Sequence, residues 1–459
     1  IRDRADTGGP KSFSCCYATL NADKERYAGF PEGIAQDTPL GTFLGRQSQI
    51  MMTDMGFDYI WFSNGFGFGL ETWMTRGPMF DGQTFDASQA NVIKEKILDF
   101  WRFFRKECPK FPIETRGTNL GTGIDLASDA VPLGDLYDGD FNFQPPPNSP
   151  WAALNYDFGL ELAGYMSHIA KLPRNSGYPF RYYTHDPWWH NSPWLDRYGR
   201  EPYDIYMPMS VGRIDEGGKI ENPNAILFLT IDDSHGNMPR QVPNEVTPHI
   251  QEGLRNKPDQ AGPLVWVYPF DEFHKMTFGE EKRTDEPFFA DWFMRSAIKC
   301  GLPVNTVVST DHFLATHANS PKLYRESVLV TTVPDAGSAS SRSLCEHVRR
   351  GGRVLLYGSI KRADDELLAM LKLKKASSIS GPMRMLLHGG VDEIASGAYP
   401  ADFEHRDVMN AGGMDAIFAG ANGVSDTSTT IVATAVRESD RRAGALVRCE
   451  SDWNGGCIG

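Results

Sequence analysis

The stretch "VWVYPFDEFH" (residues 265–274) decides how this chain is read. It stays apolar through Tyr268 and then turns to Asp271, Glu272 and His274. A short apolar run fits a strand buried on both faces, which is how strands of parallel sheets read. Carboxylates at the end of such a strand stand where α/β folds place their chemistry.

Similar runs alternate with helical patterns on the N-terminal side. The strand-like runs are 12–20, 57–65, 111–119, 180–186, 225–233, 263–272 and 303–310. "QANVIKEKILDFWRFFRKEC" (89–108) is an amphipathic helix, with Val92, Ile93, Ile97, Phe100, Trp101 and Phe104 on one face. "LGTFLGRQSQIMMTDMG" (40–56) has helical spacing and a terminal Gly, and residues 151–172 and 287–301 follow the same pattern. Strands alternating with helices imply a parallel sheet. Seven such strands favour a closed (β/α)8 TIM-type barrel over residues 1–320, with the eighth strand before residue 12.

The pattern changes near residue 320. "ESVLVTTVPD" (326–335), "SSRSLCEHVRRGG" (340–352) and "RVLLYGSI" (353–360) form a β-α-β unit, and "DDELLAMLKLKK" (364–375) adds a helix. Residues 321–382 therefore read as a small α/β domain. Residues 383–459 read as a β-rich piece built on 383–390, 427–438 and 444–451.

The chain has 459 residues, 41% hydrophobic and 23% charged, enough material for a sizeable core. A net charge of −13 with no basic stripe argues against nucleic-acid and anionic-membrane partners. No window of eighteen apolar residues is present to span a bilayer. Of seven Cys, Cys15 and Cys16 are adjacent and the others scattered; without a C-x-x-C pair they support neither a zinc ribbon nor a disulfide scaffold. The opening "IRDRADTGGPKS" reads as the interior of a longer chain, so localisation stays open between cytoplasmic and periplasmic or secreted.

The expected strand ends share a composition: "SNGFGFGLETW", "RGTNLGTGID", "THDPWWHN", "TIDDSHGN" and "YPFDEFHK" bring carboxylates, amides and His together with aromatics. Sugars are bound by such sets, the C–H faces of a pyranose on aromatic rings and its hydroxyls on polar side chains. The expected substrate-binding residues are Asn64, Phe66, Arg116, Asn119, Trp188, Trp189, Asp232, Asp233, His235, Asp271 and His274. Glu71 is a further acid on the second loop. Hydrolysis of a glycoside needs two carboxyl groups across the bond. No cofactor is expected, because the glycine-containing stretches lack a complete phosphate or dinucleotide fingerprint. No metal is expected either, since the spacing His185…His190 matches no strong zinc motif.

A barrel followed by "VLVTTVPDAGSASSRSLCEHVRRGGRVLLYGSI" and a β-rich piece resembles the barrel glycosidases typified by the trimerising β-galactosidases. In that group the middle domain is similar to class I glutamine amidotransferases without their catalysis. Here Cys345 stands mid-helix rather than in a Gly-Cys-Gly turn. The resemblance implies a nucleophilic Glu after strand seven, which is Glu272 if residues 303–310 are strand eight. It implies an acid/base after strand four as Asn-Glu, but Asn119 is followed by Leu120. The acid/base role then falls to Asp125 or Asp186. The resemblance also implies a homo-oligomer, a trimer. The resulting expectation is a glycoside hydrolase-like enzyme acting on a β-linked sugar by a retaining two-carboxylate route. Two alternatives stand beside it: a carbohydrate-binding barrel without catalysis, and a metal-dependent hydrolase using His185, Asp186, Asp232, His235 and His274.

Overall fold

A computed structural model of the chain describes residues 2–3, 12–13, 16–62, 66–67, 75–115, 120–144, 158–173, 176–185, 206, 209–230, 241–388, 402–405, 413–419 and 427–459. They form a mixed α/β fold with one large sheet. Two compact units are drawn from interleaved segments. One holds Ile1–Ser210, Asn222–Lys257 and Asp271–Asp291, and the other holds Val211–Glu221, Pro258–Phe270 and Trp292–Gly459.

In the first unit, helix Leu40–Met55 ends at Gly56, whose φ of 69° lets the last turn close in the left-handed region. Helix Ala90–Glu107 buries Ile93, Ile97, Phe100, Trp101 and Phe104 as its spacing predicts, whereas Val92 is half exposed at the edge of that face. The two helices approach closely because Gly41 and Gly45 face the second one. A Cβ at either would lie 2.4–2.5 Å from the carbonyl oxygens of Phe100 and Phe104. Arg105, in the last turn of Ala90–Glu107, donates to the carbonyls of Cys108, Phe111 and Phe141. It thereby ties the helix end to the entry of strand Ile113–Thr115, which pairs in parallel with Ile60–Phe62 and Phe143–Gln144. Strands Pro179–His185 and Ala225–Thr230 form a separate parallel pair.

The second unit is organised on an eleven-stranded sheet. Its parallel part runs Gly212–Ile214, Val304–Ser309, Leu264–Tyr268, Val328–Thr332, Arg353–Tyr357, Cys457–Ile458. Antiparallel pairing then continues through Asp440–Cys449, Thr429–Arg437, Met383–Leu387 and Asp402–His405. Val265, Trp266, Val267 and Tyr268 are all buried, as a central parallel strand requires. Trp266 Nε1 donates to the Tyr357 hydroxyl at 3.1 Å, which satisfies the indole inside the core.

The described strands depart from the expected closed barrel. Leu264–Tyr268 has Val304–Ser309 on one side and Val328–Thr332 on the other, while Ile60–Phe62 and Ile113–Thr115 lie in a second sheet and Pro179–His185 and Ala225–Thr230 in a third. No eight-stranded ring closes among the described residues. The boundary expected at 320 crosses this sheet, and so does the one at 382, since Cys457–Ile458 returns between Arg353–Tyr357 and Asp440–Cys449. Backbone hydrogen bonds choose strand neighbours irrespective of side-chain type, so apolar runs do not reveal them. The β-α-β reading itself holds: Val328–Thr332 and Arg353–Tyr357 are parallel neighbours joined through helix Ala339–Arg349. A disulfide not foreseen from Cys spacing links Cys449 and Cys457, directly opposed on adjacent antiparallel strands.

Candidate functional site

Glu272 and Asp271 lie in the first turn of helix Phe270–Phe278, which begins two residues after strand Leu264–Tyr268 ends. Acids in a first turn are stabilised by the positive end of the helix dipole. Asp271 is exposed and ion-paired with Lys171, a partner that sequence spacing did not reveal. Glu272 is half-buried, with its Oε2 enclosed. His274 accepts a hydrogen bond at Nε2 from the Gly134 amide, 2.9 Å away. An imidazole that accepts there carries its proton on Nδ1, so Nε2 of His274 is committed to the backbone.

Asp125 is placed differently from expectation. It stands in the first turn of a short helix, Thr122–Asp129, every residue of which is buried. Its Oδ2 lies 3.0 Å from His168 Nε2, and the two residues are 1% and 4% exposed. The His168 carbonyl accepts from the Tyr137 hydroxyl at 3.1 Å. Burial, and then the Asp125 charge, push the Tyr137 phenol far above its ordinary range. The Thr122 amide donates to Ser167 Oγ at 2.9 Å. This is a buried polar network, in which each group is held by another. The polar residues Thr122, Asp125, Ser128 and Asp129 recur at helical spacing, but all of them are buried, so the stripe that would ordinarily mark a solvent face serves the interior instead.

The glycines in this stretch make room for a carboxylate of the chain itself. Asp291 Oδ2 accepts from the Gly123 amide at 2.8 Å, at the N-terminus of Thr122–Asp129. A Cβ on Gly121 would lie 2.3 Å from that oxygen, and one on Gly123 would lie 2.5 Å from the Pro287 carbonyl. The place that a phosphate would take at a helix N-terminus is thus occupied by Asp291.

Several aromatic residues at the described strand ends pack against other rings of the chain. Phe66, expected to face substrate, packs against Phe62 and Phe100 with ring centroids 5.5 and 5.6 Å apart. Tyr268, Phe270 and Phe273 are buried. Asn64, Glu71, Arg116, Asn119, Asp186, Trp188, Trp189, Asp232, Asp233 and His235 lie outside the described residues. Among the described residues no group of three His, Cys, Asp or Glu is arranged to hold a metal ion. Cys345 is buried, and burial raises its thiol to about 11, which keeps it protonated at neutral pH.

The chain matches no protein family model and no curated protein sequence. Solved structures that are similar to it in architecture include three glycosidases. A cold-adapted β-galactosidase from Rahnella sp. R3 has a TM-score of 0.41 at 11% identity, over 82% of this chain and 55% of that one. Gan42B, a GH42 β-galactosidase, has a TM-score of 0.37 at 11% identity, over 84% and 56%. The exo-β-1,4-mannosidase Op5Man5 from Opitutaceae bacterium strain TAV5 has 0.37 at 12%, over 91% and 71%. The chain spans little more than half the length of either β-galactosidase.

Proposed function

We propose that the protein is a glycoside hydrolase-like enzyme in which Glu272 serves as the nucleophile of a retaining, two-carboxylate reaction on a β-linked sugar. The observation that carries this reading is the position of Glu272 in the chain. It follows by four residues a buried parallel strand at a point where the sheet's connections diverge. From Leu264–Tyr268 the chain runs to Val304–Ser309 on one side, and from Val328–Thr332 it runs to Arg353–Tyr357 on the other. In open α/β sheets, ligands bind beyond the carboxyl ends of strands at such switch points. With Asp125 committed to His168, the acid/base role passes to Asp186.

The test uses aryl β-glycosides with a good leaving group. Glu272→Ala should lose hydrolysis, and added azide should restore turnover by taking the place of the missing carboxylate. Full activity of Glu272→Ala on every glycoside the parent cleaves refutes the assignment. The buried pair Asp125–His168 favours a second reading, a carbohydrate-binding protein without turnover, since it removes one of the two expected acids. Saturable sugar binding by the parent with no hydrolysis of any aryl glycoside selects that reading.

A further inference from the structure

A hollow of about 230 Å³ opens in the second unit, where helix Thr310–Asn319, the short 3-10 turn Pro321–Tyr324 and the C-terminal end of helix Ala339–Arg349 converge. Three permanent cations line it: Lys322, Arg325 and Arg350. Arg350 is ion-paired with Glu346, whereas Lys322 and Arg325 have no ion pair among the described residues. In a chain of net charge −13, two uncompensated cations beside one cavity are an arrangement that repels itself unless an anion completes it.

The floor of the hollow supplies a second, independent sign. His347 and His317 both line it, each only 4% exposed, with ring centroids 5.3 Å apart. Nε2 of His347 is buried and has no hydrogen-bond partner. Buried polar nitrogens are nearly always satisfied, and one without a partner on a residue that lines a cavity points to a group that completes it. Gly352 shapes this wall, because a Cβ there would lie 2.2 Å from His347 Nε2. The amides of Gly351 and Gly352 are already spent on the carbonyls of Val348 and His347, so the side chains must do the binding.

We propose that this hollow is a binding site for a small oxyanion of the phosphate class, inorganic phosphate or the phosphate group of a monoester. Arg325, Arg350 and Lys322 supply the charge, and Nε2–H of His347 donates from below. Guanidinium groups match tetrahedral oxyanions through paired N–H donors, which distinguishes this chemistry from simple attraction of chloride. The bland alternative is that the cations only complement the negative ends of two helices.

Titration calorimetry of the whole chain at constant ionic strength decides between them. Sodium chloride balances each addition, and the probes are inorganic phosphate and glucose 6-phosphate. Saturable binding of either, absent with chloride and at least roughly tenfold weaker in R325Q/R350Q, is the expected result. Binding of glucose 6-phosphate places a monoester in the site, and binding of inorganic phosphate alone restricts it to the free anion. Both substitutions are at exposed positions, and unchanged urea denaturation of the variant verifies its fold. No saturable binding by either probe, or equal binding by R325Q/R350Q, overturns the proposal.

Discussion

Nε2 of His168 lies 3.0 Å from Oδ2 of Asp125, and both side chains are sealed from solvent. A carboxylate so held acts on the fold before it can act on a substrate. Removing one member of a buried pair strands the other, at about 3–5 kcal/mol. Asp125→Ala should therefore lower unfolding stability by about 3 kcal/mol or more in urea denaturation. A variant as stable as the parent but devoid of activity would return Asp125 to the catalytic role.

Gly121 and Asp291 are coupled through space. Gly121→Ala drives a methyl into the Asp291 carboxylate, an overpacking cost of about 1–3 kcal/mol. Asp291→Ala forfeits the helix cap at Gly123, about 1 kcal/mol. In the Asp291→Ala background the cost of Gly121→Ala should largely vanish. A double-mutant cycle should show an interaction of at least about 1 kcal/mol, and strict additivity would mean that Gly121 is not there to admit Asp291.

Arg105 holds three carbonyls that have no other role in a helix or strand ladder. Burial pulls its guanidinium below its ordinary value, yet it remains charged at any pH at which the protein folds. Arg105→Met leaves all three acceptors short and should cost about 2–4 kcal/mol. Arg105→Lys, a point charge without the planar fork, should fall between the parent and Arg105→Met. Chemical denaturation midpoints for the three proteins give the order directly.

His347 and His317 make stability depend on pH in a defined direction. Burial, reinforced by His317, lowers His347 to about 4, and burial also lowers His317, against Glu346 and with Arg350. Both are neutral in the folded chain at pH 7, and the unfolded chain binds protons first as pH falls. Stability is therefore whole above about pH 6.5 and is lost as pH falls toward 4. The slope is about 1.4 kcal/mol per pH unit for each proton, roughly 3 kcal/mol for His347 over the window. Urea midpoints of His347→Gln between pH 4.5 and 7.5 should show a flatter dependence than the parent. Equal slopes would remove His347 from the account.

Much of the secondary structure was legible. Helices 40–55 and 90–107 follow from apolar spacing and, for the first, its glycine stop. Strand 264–268 follows from its unbroken apolar run, and the β-α-β unit at 328–357 from two apolar runs on either side of a helical segment. The aromatic rings were legible as hydrophobic but not as to which face they serve. Phe66 packs on Phe100, and Trp266, the ring neighbour of buried Tyr268, bonds to Tyr357, contacts that depend on residues distant in sequence.

Composition and periodicity were thus sufficient for which segments are helix or strand, since those depend on local spacing and on burial of one face or two. They also sufficed for the acidic balance of the whole chain. Strand order, the partners of Asp125, Asp271 and His274, the Asp291 carboxylate at Gly121–Gly123, and the cationic hollow over His347 came from the folded chain alone. Each depends on residues brought together from well apart in the sequence, as Asp271 meets Lys171 across 100 residues. Backbone pairing and charge placement at that range leave no periodic trace in the residues that make them.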